Sequence, residues 1–226
     1  MSHYTQPRFN SIALLTIDVQ RDFLKGQPFE IEGTSEALPQ MKLLVDAFRD
    51  AKLPIFHLVR LYKSDGSNVD LCRRQIVEIG TSLVRPGTFG SELAFALLPT
   101  PDSKLQPDLL LSAVPQPLGE MEWAIYKPRW GAFFQTPLQE LLLALGVTSL
   151  AFCGCNFPNC PRTSIYEASE RDFRIVLVDD AISGLSEQGQ KEMANIGVTL
   201  MTAERLVTSI GQSTAAPFPS RRAFRS

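Results

Sequence analysis

The sequence predicts an α/β fold: a three-layer α/β/α, Rossmann-like arrangement with a mostly parallel sheet of about six strands and helices on both faces. Three observations predict it. Short continuous apolar runs alternate with segments whose apolar residues recur at helical spacing. Such runs suit strands buried on both faces, and their alternation with helices implies right-handed crossovers into a parallel sheet. Reactive side chains stand at or just beyond the ends of three of these runs, where open α/β sheets collect their chemistry. The length of 226 residues, 44% hydrophobic and 20% charged, matches one domain with a sizeable core.

The elements follow in order. "SIALLTIDVQ" (11–20) is a buried strand running into Asp18. "SEALPQMKLLVDAFRDA" (35–51) repeats Leu38, Met41, Leu44, Val45 and Phe48 at helical spacing, and "LPIFHLV" (53–59) is a second buried strand. Residues 60–121 scatter Pro and Gly and read as long loops and short helices able to roof a pocket. The pattern resumes with a strand in "EWAIYK" (122–127), a helix in "TPLQELLLALG" (136–146) closed by Gly146, and a strand in "TSLAFCG" (148–154). A helix from about Pro161 to Arg171, the strand "FRIVLVDDA" (173–181), a helix from about Ser186 to Ile196, the strand "VTLM" (198–201) and the helix "TAERLVTSI" (202–210) complete the domain, taken as residues 1–212. The tail, 213–226, is Pro- and Arg-rich and reads as flexible or docked on a neighbouring subunit.

A net charge of −2 supplies no general electrostatic reason to bind nucleic acid or a membrane surface. No apolar run approaches the roughly 18 residues that span a bilayer, and the opening residues lack a signal-peptide pattern. Four cysteines are too sparse for a disulfide scaffold. A reduced, cytoplasmic protein acting on a small molecule is expected.

Asp18, Lys127 and Cys160 each end or follow a strand, so parallel strands bring a carboxylate, an ammonium and a thiol to one rim, a plausible nucleophilic site. Cys160 stands where a helix begins, with Pro161 at the favoured first position. The helix dipole and Lys127 are expected to lower its thiol pKa, so that it alkylates quickly below the ordinary thiol value of about 8.5. Asp18 can take the thiol proton and return it to a leaving amine. Cys153 and Cys155 lie on one face of an apolar strand and read as packing, while Cys72 has no evident partner. A zinc site built on C-x-C-x4-C lacks the usual Cys-x2-4-Cys pairs, and no Cys-x-x-Cys supports a redox role.

Three ordered motifs then carry a resemblance. "LLTIDVQRDF" looks like an Asp-x-Gln-x-x-Phe first-strand signature. "YKPRWGAFFQTPLQELLLALGV" is similar to a Lys-x-Arg-aromatic-small-x-Phe segment leading into a Leu-rich helix. "GCNFPNCPRTSIYEASERDFRIVLVDDA" matches a Gly-x5-Cys nucleophile loop with its helix and strand. Over most of residues 11–202 the chain resembles the isochorismatase-like cysteine hydrolases, in the flavour of carbamoylsarcosine and ureidoacrylate amidohydrolases rather than nicotinamidases. The resemblance implies a catalytic triad of Asp18, Lys127 and Cys160, a covalent acyl-enzyme, no cofactor, and assembly as a dimer or tetramer.

It also implies a cis peptide at Cys155–Asn156, turning an N–H toward the oxyanion, with donors from the backbone of Asn156 and Cys160. Phe157–Pro158 is a second candidate for the cis bond. Here "NFPNCP" replaces the family's smaller residues beside the nucleophile. Gln20, Phe23, Trp130, Phe133 and Phe157 are candidate pocket walls, or core. Arg162 can grip a substrate carboxylate or form a surface salt bridge. "RLYKSDGSNVDLCRR" (60–74) lines the pocket mouth or is a solvated loop. The nicotinamidase branch adds an Asp/His metal site, whereas the histidines here are His3 and His57. His57 reads as a hydrogen-bonded core residue, and no metal is expected. Within the same resemblance, vinyl-ether hydrolysis of an isochorismate-like substrate and a non-catalytic scaffold stay open.

Overall fold

A computed structural model describes residues 3–214. The apolar runs become seven strands: β1 (Ile12–Ile17), β2 (Ile55–Val59), β3 (Gln116–Gly119), β4 (Glu122–Tyr126), β5 (Ser149–Gly154), β6 (Arg174–Ile182) and β7 (Thr199–Met201). They pair in the order β3-β4-β2-β1-β5-β6-β7, every pair parallel except β3 with β4. β1, β2 and β5 are buried at every position, as expected of strands covered on both faces.

The helices are α1 (Thr34–Asp50), α2 (Leu71–Glu78), α3 (Pro107–Leu111), α4 (Leu138–Ala144), α5 (Cys160–Ser169), α6 (Glu187–Asn195) and α7 (Ala203–Thr214). The two faces of the sheet divide the core. Ala13, Leu15 and Ile17 of β1 pack with Leu138 and Leu142 of α4, Ile165 and Ala168 of α5 and Met193 of α6. Ile12 and Leu14 pack with Met41, Leu44, Val45 and Phe48 of α1 and with Leu206 and Ile210 of α7. The alternation along β1 thus assigns successive residues to opposite layers.

The α/β arrangement with a mostly parallel sheet is the expected one. Of its seven strands, β3 was hidden in the sequence because it is four residues long, contains Pro117 and alternates burial as an exposed edge does. One expectation is corrected. The last helix runs to Thr214, beyond the expected Ile210 and into the supposed tail. The rest of that tail, from residue 215, lies outside the described residues. Residues 60–121 form loops, short 3-10 turns, α2, α3 and β3. Among the described residues no helix is long and apolar enough to cross a membrane.

Candidate active site

Chain order reverses across β1: β2 lies on one side and β5 on the other. This is the switch point where doubly wound sheets open a crevice beyond their carboxyl ends. Four neighbouring strands there each deliver the residue just past their end: Lys127 from β4, Arg60 from β2, Asp18 from β1 and Cys155 from β5. The ladder holds them level. Lys127 N donates to Val59 O at 3.0 Å, Asp18 N to Leu58 O at 2.9 Å and Cys155 N to Ile17 O at 2.9 Å. β4 and β1 are not adjacent in the sheet. β2 separates them, and the long Lys127 side chain crosses that gap.

Lys127 is fully buried, and its Nζ donates to Asp18 Oδ2 at 2.8 Å. Asp18 is itself buried, and its other oxygen, Oδ1, has no hydrogen-bond partner among the described residues. Asp18 also holds φ at +53°, a left-handed conformation that few non-glycine residues adopt and that concentrates at functional sites. A buried acceptor left open beside a buried cation is costly. It suits a proton acceptor better than a structural brace.

Cys160 opens α5, 8% exposed, with Pro161 next to it at the helix start. The helix is tied to the segment after Lys127: Ser164 Oγ donates to Cys160 O at 2.7 Å and accepts from Ala132 N at 3.0 Å. Gly131 fits because any Cβ there would lie 2.1 Å from Glu167 of α5. The expected low thiol pKa is overturned. Burial, then the Asp18 charge, push Cys160 up to about 12 against the pull of Lys127 and Arg60. The resting sulfur is a protonated thiol because desolvation outweighs the helix dipole.

The cis-peptide expectation is also overturned. Among the described residues no peptide bond is cis, so both Cys155–Asn156 and Phe157–Pro158 are trans. In this trans loop Cys155 N, Phe157 N and Asn159 N all find acceptors, whereas Asn156 N and Cys160 N have none among the described residues. The loop therefore keeps two open amide donors without the cis bond.

The pocket candidates divide. Gln20 is fully occupied as a brace. It donates to Arg60 O at 2.8 Å and Ser91 O at 2.6 Å, and accepts from Arg60 N at 2.8 Å. Phe133 and Phe157 belong to the core between β1 and α5, and Phe133 stacks on Phe173 with centroids 6.0 Å apart. Phe23 joins Tyr62, Val69, Val77, Leu83, Val84 and Cys155 in a smaller cluster roofing the rim. Trp130 is exposed, three residues after Lys127. Arg162 makes the surface alternative, pairing with Glu192 and, at 3.2 Å, with Tyr166 Oη. Cys153 and Cys155 are buried as expected, but in different clusters. Cys155 Sγ donates to Asp18 O at 3.1 Å.

Arg60, Tyr62 and Asp70 were overlooked as individuals. Within the 60–74 segment, Arg60 Nη2 donates to Tyr62 Oη at 2.8 Å and pairs closely with Asp70, while Tyr62 Oη donates to Asp70 Oδ2 at 2.8 Å. All three are buried. A signal existed: Arg60 is the first residue past β2, as Asp18 is past β1.

A metal site of the nicotinamidase kind does not fit these residues. His57 is fully buried, with Nδ1 2.8 Å from Thr16 Oγ1 and Nε2 2.8 Å from Glu122 Oε1, as a core histidine is expected to be. Among the described residues no three His, Cys, Asp or Glu side chains are grouped to hold a metal ion.

The isochorismatase-domain family matches residues 12–205. The chain belongs to the isochorismatase family. It is 28% identical over 204 residues to a probable inactive nicotinamidase of Arabidopsis thaliana, covering 86% of this chain and 94% of that one. It is 27% identical over 186 residues to the ureidoacrylate amidohydrolase RutB of Methylobacterium radiotolerans, covering 74% of this chain and 65% of RutB. The crystal structure of an isochorismatase family protein from Desulfovibrio vulgaris superposes with a TM-score of 0.76 at 29% identity, over 89% of this chain and 98% of that one. N-carbamoylsarcosine amidase from Thermoplasma acidophilum shares the fold, with a TM-score of 0.67 at 17% identity over 86% and 97%. The chain is an isochorismatase-family hydrolase by these likenesses.

Proposed function

We propose that this chain cleaves a C–N bond of a small amide, ureido or carbamoyl compound through a covalent Cys160 intermediate, without a cofactor. The observation that carries the reading is the buried Lys127–Asp18 pair, whose Asp18 Oδ1 is left open. Because the resting thiol is protonated, its proton moves as the sulfur attacks. Cys160 Sγ bonds to the carbonyl carbon, Asp18 takes the thiol proton, and the oxyanion is met by the free amides of Asn156 and Cys160. The C–N bond then breaks, and Asp18 returns the proton to the leaving nitrogen. Water, deprotonated by Asp18, attacks the thioester and restores the thiol. Lys127 keeps positive charge beside Asp18 throughout. Ureidoacrylate amidohydrolase and N-carbamoylsarcosine amidase, which the chain resembles, are named for compounds of this class.

A second reading has its own observation. The high thiol pKa and the likeness to a probable inactive nicotinamidase favour chemistry that needs the cysteine less, such as vinyl-ether hydrolysis, or none. A panel of ureido, carbamoyl and simple amide compounds, scored for ammonia, is run beside isochorismate scored for pyruvate. Ammonia release that disappears in Cys160→Ala supports the amidohydrolase. Pyruvate release surviving Cys160→Ala, or no turnover of either kind, rejects it.

A further inference from the structure

The charge budget of the rim extends beyond the triad. Arg60 is 3% exposed, and its backbone is clamped on both sides by the Gln20 amide. Its Nη1 donates to the carbonyl of Lys127 at 3.4 Å, and its Nη2 is held by Tyr62 and Asp70. A guanidinium buried in this way has no freedom to swing to solvent. Its strongly held partner, Asp70, is the residue just before α2.

We propose that Arg60 is a positioning residue of this site: a fixed cation, partly neutralised by Asp70, whose field sets how readily Cys160 gives up its proton. The inference rests on the reading of Cys160 as the reacting thiol. The groups that share this environment are Asp18, Lys127 and Cys155 on the strand ends, and Tyr62, Asp70, Tyr126 and Arg129 around the guanidinium. Asp18 opposes the thiolate, while Lys127 and Arg60 favour it. Burial by itself lowers the Arg60 pKa, but the negative charge of Asp18 and Asp70 helps leave it raised, so the cation persists at any working pH. Charge in such a low-dielectric setting acts over longer range than in water. Removing the cation must therefore disfavour the thiolate, whereas removing Asp70 exposes the full cation and must favour it.

The test is the rate of Cys160 alkylation by iodoacetamide from pH 7 to 11, read peptide by peptide by mass spectrometry, in Arg60→Met, Arg60→Lys and Asp70→Asn. Arg60→Met is expected to slow Cys160 about tenfold at pH 9, equivalent to one pKa unit. Arg60→Lys should restore most of the rate, and Asp70→Asn should raise it above the parent. A loosened loop would speed both Arg60→Met and Asp70→Asn and would label Cys155 in parallel, so opposite signs distinguish a field from damage. Shifts of the same sign, no shift in either variant, or acceleration shared by Cys155 overturns the proposal. Should Arg60→Met fail to fold, the sign for Asp70→Asn decides. Alkylation needs no turnover, so a chain inactive on every amide can still pass this test, and an active amidase can fail it.

Discussion

At the buried Cys160 thiol four influences compete. Burial and the Asp18 carboxylate hold the proton on sulfur, while Lys127 and Arg60 pull the other way, and the first two win. At pH 7.5 a thiol with a pKa near 12 is ionised in only about one molecule in 10⁴ to 10⁵. Cys72 is exposed on α2, so iodoacetamide at that pH is expected to label Cys72 at least tenfold faster than Cys160. The gap should narrow as pH rises toward 11. Time-resolved peptide mass spectrometry checks this, and a Cys160 that outruns Cys72 at neutral pH would refute the protonated-thiol account. The placement of Asp18, Lys127 and Cys160 at or after strand ends was legible in the sequence because each stands beside a strong local pattern. The ionisation of Cys160 was not, because the sign of a thiol pKa shift depends on how burial weighs against charge, and burial is a tertiary property.

The joint between β1 and β5 delivers the 154–160 loop to the rim. Gly154 ends β5 opposite Ile17, at φ +120°, with its α-carbon pressed to the neighbouring backbone. A Cβ there would lie 2.2 Å from Ile17 O and 2.6 Å from Ile17 N. Backbone cannot yield as a flexible side chain can, so Gly154→Ala is expected to cost roughly 2–5 kcal/mol of folding stability, from strained φ plus steric overlap. The loop should also shift away from Asp18. Urea denaturation reads the first effect and the loss of Cys160-dependent turnover the second. A Gly154→Ala protein of parent stability would show that the β1–β5 approach is looser than described. The Gly of Gly-x5-Cys was readable as a motif, but its reason became visible only with β1 beside it.

A charge line, Arg49–Glu122–His57–Thr16, buried except at its Arg49 end, crosses the sheet among β1, β2 and β4 and fastens α1 to it. Arg49 Nε and Nη2 reach Glu122 at 2.8 and 2.7 Å, and His57 reaches it at 2.8 Å. Burial by itself raises the Glu122 pKa, but hydrogen bonds and charge from Arg49 and His57 outweigh it and hold the carboxyl at about 2. A carboxylate with a lower pKa folded than unfolded adds stability that is fully present above the unfolded value of about 4.3 and is lost as pH falls toward the folded value. The whole molecule is therefore expected to lose stability between about pH 4.5 and 2. Glu122→Gln should cost roughly 1–3 kcal/mol at pH 7, by weakening the charged hydrogen bonds to His57 and the half-buried Arg49, and should flatten that acid limb. Acid titration of parent and variant, followed by circular dichroism, checks both. An acid limb of unchanged steepness in Glu122→Gln would remove the line from the account. Only His57 of this line was foreseen, as a bonded core residue. Arg49 and Glu122 are 73 positions apart and look like ordinary surface charges in a sequence.

Local pattern decided the alternation of strands and helices, the boundaries of most elements within one or two residues, and the identity of Asp18, Lys127 and Cys160. Periodicity and motif spacing are properties of neighbouring residues, so they survive without coordinates. Tertiary contact decided what those residues experience. Strand order put Arg60 between Lys127 and Asp18, an edge pairing recruited β3, and the core claimed Phe133 and Phe157. Desolvation returned the proton to Cys160, and the 154–160 loop kept two amides open in an all-trans path. Each of these depends on distances between residues far apart in the chain, and burial multiplies the strength of every charge it encloses.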